Sequence, residues 1–368
     1  MKSSTEYITI HPGEVLHNEL ESRGINQKDF AVTVCMPASV LNDIIKGKRN
    51  ITPDIAILFE AALGIDASSW LRLQAERDLE VAKKKDDFIK KQKDIETWQS
   101  IQACCNVKYL ERHIPQGLGK TIQEKTSTVL NFFNAKTVDG LREAFIKDVD
   151  PSYFRKSDKF KYDPVNIFTW KHMAFDKCET IERPKKFSPE NLNELIVGVN
   201  TILYENEDTM NRIFNLLREY GIRFFTLENE KGTHIDGFSF WKGANPSIAI
   251  TLRHKKIDIL AFTLMHEIGH VFNHLSPQSK SKTCITLSDI KDNIEEQEAD
   301  IFANNSLIPA KEWQIFKEHN RNFSHYAVAG KIREFAHLHH IHPAIVLGRY
   351  QHDFKVYDNG RGFDRSIK

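Results

Sequence analysis

The segment FTLMHEIGHVFNH, Phe262 to His274, holds two histidines and a glutamate at a spacing that chemistry can use. On a helix, His266 and His270 stand one turn apart on a single face, the separation two imidazoles need to share a tetrahedral zinc. Glu267 is rotated to the side, placed to take a proton from an attacking water whose pKa the metal lowers while it polarises a peptide carbonyl. The pattern His-Glu-x-x-His arises by chance in about one such chain in twenty, so its surroundings decide. Ile259, Phe262, Leu264, Met265, Ile268 and Val271 make this helix apolar nearly all round. Two histidines and a glutamate buried there are costly unless something satisfies them.

A hydrolytic zinc takes three protein ligands and leaves one position open. Downstream, IEEQEADIFANNSLIP predicts a helix from Ile294 to Leu307 that turns Ala299, Phe302, Ala303 and Leu307 inward and carries Glu295, Glu296 and Glu298 at its start. Glu296 is favoured as third ligand, because Asp300 lies one turn further on the same face and can orient a ligand histidine; Glu298 is the alternative. His274 reads as a supporting or surface group, since a fourth protein ligand would close the site. The histidines near the C-terminus, His337, His339, His340, His342 and His352, show no clean pair at helical spacing and are interrupted by Pro343, so they read as packing or surface groups. Tyr326, His342 and Arg349 are candidates to line a cleft, with nothing in their spacing to choose among them.

The elements that must hold these groups begin near Ser188, where Ser-Pro-Glu opens a helix, and continue with a helix from Asp208 to Tyr220 closed by Gly221. IRFFTL, GFSFW and SIAITL then predict a small sheet ahead of a long helix starting near Asp258. The resulting fold class is multidomain and mainly α, with an α+β C-terminal domain built on a small sheet. Residues 186–352 form that domain, 353–368 a tail, and 99–185 a helical connecting region without a catalytic constellation.

At the other end, start and stop signals imply five helices in residues 1–75, including one capped by Asn26, one opened by Pro37 and one running from Thr52–Pro53 to Gly64. In PASVLNDIIK, Leu41, Ile44 and Ile45 share one stripe while Ala38, Ser39, Asn42 and Lys46 share another. A helix, a tight turn and a second helix with a small, polar outer face is the layout that seats one helix in a DNA major groove. Ala38 and Ser39 let the backbone approach, Asn42 can pair with an adenine edge, and Lys46, Lys48 and Arg49 can meet phosphates. Residues 76–98, ERDLEVAKKKDDFIKKQKDIETW, predict a continuous solvated helix that spaces the domains.

Composition limits the alternatives. With 51 basic and 50 acidic residues the formal charge is +1, so DNA binding must rest on the local motif rather than a global basic field. Five cysteines, never spaced Cys-x-x-Cys, argue for reduced thiols and against a disulfide framework or a cysteine-held zinc. No apolar run reaches membrane-spanning length and the first residues carry no apolar export segment; no membrane partner and a cytoplasmic location are expected.

Residues 23–73, through GKRNITPDIAILFEAALGIDASSWLRLQ, resemble the Xre-type helix-turn-helix family and most closely its HigA-like antitoxin branch. GFSFW, NPSIAITLR, FTLMHEIGHVFNH and EEQEADIFANNSLIP resemble the ImmA/IrrE metallopeptidases. The first resemblance implies a λ-repressor-like five-helix domain on double-stranded operator DNA, as a homodimer. The second implies a zincin-like domain with His266, His270 and Glu296 as zinc ligands and Glu267 at the catalytic position. Together they imply a transcriptional regulator with a zinc-dependent endopeptidase that cleaves itself, a partner repressor or an antitoxin. The competing expectation is a non-catalytic, antitoxin-like repressor whose zincin-like domain senses a signal or binds a cognate toxin.

Overall fold

The computed structural model describes residues 10–148, 162–182, 184–278, 282–287, 294–320, 325–356 and 362–368. The chain divides into two compact units, Met1–Trp98 and Gln99–Lys368.

The first unit opens with α1 (Pro12–Ser22), α2 (Gln27–Thr33), α3 (Ala38–Ile45), α4 (Pro53–Leu63) and α5 (Ala67–Lys83). Their ends follow the punctuation of the sequence. The Asn26 side chain accepts a hydrogen bond from the Lys28 amide at 2.8 Å, and Gly64 closes α4 with φ +69°. Leu16, Leu20, Phe30, Leu41, Ile44, Phe59 and Trp70 form one core. A single helix over 76–98 is not found. Residue 75 lies inside α5, and the charged stretch breaks at Lys84–Lys85 before α6 (Asp86–Gln102), which runs past the end of the unit. The cause is legible: lysines gather at the negative end of α5 and Asp86 and Asp87 at the positive end of α6, so each helix dipole is stabilised by stopping there.

The second unit contains α7 (Val107–His113), α8 (Ile122–Phe132), α9 (Val138–Asp148), α10 (Pro164–Thr180), α11 (Leu192–Glu205) and α12 (Thr209–Glu219). They are followed by β1 (Arg223–Thr226), β2 (Ile235–Lys242), β3 (Asn245–Ile250), α13 (Ile257–Asn273) and β4 (Thr283–Leu287). Last come α14 (Ile294–Leu307), α15 (Ala310–Asn320), α16 (His325–Leu338) and α17 (Pro343–Phe354). The sheet runs β1-β3-β2-β4, with β1 parallel to β3 and the other pairs antiparallel. β4 was not expected.

Strand alternation divides the sheet between two helices. Phe238 and Phe240 point to α10, where the Phe175 ring lies 5.6 and 4.8 Å from theirs and the Trp170 indole donates to the Glu228 carbonyl at 2.9 Å. Gly237 and Ser239 point to α13, against Glu267. Residues 99–185 are thus no separate connector: α10 covers the second face of the sheet and belongs to the same unit. Nor is the C-terminus detached. Arg365 pairs with buried Asp258, and the Lys368 carbonyl accepts from the Thr209 amide at 2.8 Å. All five cysteines are free, and four of them are buried.

His172 on α10 is set among Phe133, Phe168 and Phe175, with ring centroids 4.8, 4.5 and 5.7 Å away. Burial lowers its pKa from 6.5 to about 4; Asp148 opposes this and Lys171 adds to it. The folded state thus resists a proton that the unfolded chain accepts, so stability is full above the unfolded pKa and falls as the pH drops from 6.5 toward 4. Between about pH 7.5 and about pH 5 this residue should remove about 2 kcal/mol. Urea titrations should show the wild type losing about 2 kcal/mol relative to His172→Phe between these two pH values.

Candidate metal centre and nucleic-acid interface

α13 is almost wholly buried, and the residues around its polar groups explain how it tolerates them. Gly269 faces α14 so closely that a Cβ there would lie 2.9 Å from the Phe302 ring and 3.4 Å from the Ala299 Cα. This close approach delivers the first turn of α14 to the two histidines. Nε2 of His266 and Nε2 of His270 lie 2.9 Å apart, and each lies 3.2 Å from a different oxygen of Glu296. Burial would lower the His266 pKa, but hydrogen bonds to Asp300 and Glu296 outweigh it and raise the imidazole to about 10. Burial would likewise raise Glu296, yet its bonds to His266 and His270 hold it at about 2.

The three acids at the start of α14 have separate tasks. Glu296 meets both histidines, Glu295 pairs with Lys282 at 2.6 Å, and Glu298 lies 3.0 Å from Nε2 of His274. Behind these two Nε2 atoms run two parallel supports. His266 Nδ1 is 2.9 Å from Asp300 Oδ1, and His270 Nδ1 is 2.9 Å from His274 Nδ1, which leads on to Glu298. Fixing the far ring nitrogen orients an imidazole and sets its tautomer.

These donors fit a metal ion. Their atoms lie within 4.8 Å of one another, and they are the only such group of histidine, cysteine and acidic side chains among the described residues. Tetrahedral zinc keeps its donor atoms about 3.3 Å apart, so shifts of a few tenths of an ångström suffice. Two imidazole nitrogens and one carboxylate leave a fourth position open.

Glu267 is fully buried, and burial raises its pKa while His270, His266 and two hydroxyls oppose the shift. Ser239 Oγ donates to Oε2 and Thr286 Oγ1 donates to Oε1 at 2.7 Å. Gly237 completes the clamp: a Cβ there would sit 2.1 Å from Oε1. Sequence reasoning missed all three. The glycine and serine two apart in GFSFW, and the alternation in TCITL, were the available signals.

Of the cleft candidates, His342 caps α17, accepting from the Ala344 amide at 3.2 Å, and Arg349 donates to Asp353 at 3.1 Å. The side chain of Tyr326 lies outside the described residues. His339 packs against Phe335, His340 against Tyr204, and His352 pairs with Asp353.

In the N-terminal unit, α3 buries Leu41 and Ile44 and exposes Ala38 and Ser39, with Asn42 half-buried beside them. Lys46, Lys48 and Arg49 are exposed at its C-terminal end. The Asn26 cap of α2 and the turn at Cys35, where φ is +51°, set the angle between α2 and α3.

Comparison with known proteins agrees with this division. Residues 16–70 match the helix-turn-helix family and residues 205–347 match the IrrE N-terminal-like domain of the M78 peptidases. Virulence-associated protein I of Dichelobacter nodosus is 37% identical over 78 residues, 21% of this chain and 72% of its own length. Among solved structures, an addiction module antidote protein of the HigA family from Coxiella burnetii is 30% identical, covering 23% of this chain and 92% of that one, with a TM-score of 0.22. The Pseudomonas aeruginosa antitoxin HigA with the higBA promoter is 34% identical, covering 20% and 83%, with a TM-score of 0.20.

Proposed function

This chain belongs to the helix-turn-helix family and carries an IrrE N-terminal-like M78 domain; on that premise we propose that it is an operator-binding regulator whose second unit is a zinc-dependent endopeptidase. The observation that carries this reading is the convergence of His266, His270 and Glu296 beside a buried glutamate within that domain. When bound, zinc supplies a Lewis acid for the scissile carbonyl and lowers the pKa of the attacking water. His266, His270 and Glu296 hold it; Asp300 and the His274–Glu298 pair keep the imidazoles oriented. Glu267 accepts the water's proton and returns it to the leaving amine, its burial keeping its proton affinity above that of a solvated carboxylate. Ser239 and Thr286 hold the carboxylate in place as the charge on it changes. The substrate is the chain itself, a partner repressor or an antitoxin, and the setting is the cytoplasm.

One observation favours a second reading, in which the metal domain senses a signal or binds a toxin without cutting: both Glu267 oxygens already accept hydroxyl donors. Cleavage by the wild type that Glu267→Gln loses supports the first reading; no cleavage by either protein, with regulation intact, supports the second.

The DNA half is tested on the chain's own upstream DNA, where a dimer would read paired half-sites. Lys48→Ala should weaken binding evenly across sequences and lower the salt slope by about one, whereas Asn42→Ala should relax base preference by about 1–3 kcal/mol at one position. Salt-insensitive binding would remove the regulator assignment.

A further inference from the structure

The loop that follows α3 is tied at both ends. Gly47, with φ +70°, stops the helix, and the amides of Lys48 and Arg49 donate back to the Asp43 carbonyl at 2.8 and 3.2 Å. At the far end the Ile51 amide donates to the buried Gln74 side chain at 3.0 Å, which fixes the loop to α5. Lys48 and Arg49 stand exposed between these ties.

A further support comes from α1. Its first turn sits on the last turn of α3 so closely that a Cβ on Gly13 would lie 2.1 Å from the Ile44 carbonyl oxygen and 2.7 Å from that of Ile45. His11 caps this turn, its Nδ1 accepting from the Gly13 amide at 2.9 Å. An accepting Nδ1 leaves the proton of a neutral imidazole on Nε2, and that edge of the ring faces the loop. A Cβ on Gly47 would lie 2.8 Å from Nε2 and 3.1 Å from each ring carbon beside it. Burial and the nearby Arg77 lower the His11 pKa, against Glu14 and Asp78, so the ring stays uncharged near neutral pH. One imidazole thus closes α1 with one nitrogen and backs the loop with the other. Capping alone does not call for a ring, since asparagine, aspartate and serine do it with fewer atoms. What the imidazole adds is a flat wall against Gly47.

We propose that His11 is a positioning residue for DNA binding: its ring holds the loop of residues 47–49 in place, so that Lys48 and Arg49 meet phosphates without the loop first having to be ordered. Fixing a loop in its bound conformation strengthens binding by removing that ordering cost. The proposal rests on the reading of Lys48 and Arg49 as phosphate contacts.

Fluorescence anisotropy of the full chain on a labelled duplex from its own upstream DNA tests this, at about 50 mM salt so that weakened variants still bind. His11→Asn keeps a capping oxygen for the Gly13 amide and removes the ring; it should weaken binding about fivefold. His11→Ser, a second capping residue, should do the same, so the result does not hang on the folding of one variant. The deciding comparison is a double-mutant cycle. In a chain already carrying Lys48→Ala and Arg49→Ala, His11→Asn should cost less than about twofold, because the loop has no phosphate contact left to place. Unchanged binding in both ring-less variants, or an equal loss in both backgrounds, overturns the proposal, since the ring would then serve only the fold. Binding of wild-type strength by the Lys48→Ala, Arg49→Ala chain, or no binding by the wild type, would instead refute the phosphate reading and the proposal with it.

Discussion

Glu267→Gln should remove metal-dependent proteolysis while leaving zinc content and fold in place. The fold survives because the clamp is made of hydroxyls. Ser239 and Thr286 donate to the carboxylate oxygens, and a serine or threonine hydroxyl can rotate to accept from an amide nitrogen as readily as it donates to an oxygen. The substitution also keeps side-chain volume, which matters where a Cβ at Gly237 would already collide. What it removes is a basic atom beside the reacting water, and general-base catalysis contributes about 10²–10⁴-fold. The measurement is the cleavage rate of a mixed-sequence fluorogenic peptide library and of the chain itself, with zinc content assayed in parallel. Unchanged cleavage would exclude Glu267 as the base. Absence of cleavage from both proteins, with regulation intact, would favour the sensing reading.

His266→Ala should lower bound zinc from about one ion per chain to below about 0.1 after dialysis, because it removes a ligand and takes one partner from each of two acids. Among the described residues Glu296 would keep only His270, and Asp300 would lose the imidazole it supports. In the metal-free protein this breaks an ion pair whose side chains are 7% and 14% exposed. Breaking a buried pair costs about 3–5 kcal/mol, so a loss near the lower end, about 3 kcal/mol, is expected for this partly open one. Elemental analysis and urea denaturation of metal-free protein check the two effects separately. Asp300→Asn is the graded comparison: the support behind the imidazole weakens, zinc affinity falls by about 10–100-fold, and the ligand set stays whole.

Much of this architecture was legible because local signals and tertiary demands agree. Asn26, Pro53, Gly64 and Pro343 end or begin helices where capping chemistry says they should. The cluster of His266, His270, Glu296 and Asp300 was legible for a related reason: its residues lie on two helices, so three-dimensional proximity translates into fixed spacing, His266 to His270 and Glu296 to Asp300. Glu296 rather than Glu298 meets the histidines because the turn of α14 that carries Asp300 carries Glu296 on the same face.

Other features were hidden because they depend on pairing across distant sequence. β4 is five residues long and becomes a strand by pairing antiparallel with β2, and only then does Thr286 reach Glu267. The role of α10 is equally non-local, since its aromatic residues matter through Phe238 and Phe240 on the sheet. The break between α5 and α6 was readable: three lysines followed by two aspartates reverse the charge preference of a helix end, a signal outweighed by the absence of glycine and proline.

In the proposed centre α13 and α14 hold one metal ion with a position left open for a substrate. A crystal structure of the zinc-soaked protein, with the ion located by anomalous scattering at the zinc edge, tests it most directly. One zinc is expected on Nε2 of His266, Nε2 of His270 and Glu296, with no fourth protein ligand. Zinc on Glu298 or His274, four protein ligands, or no zinc at all would contradict it.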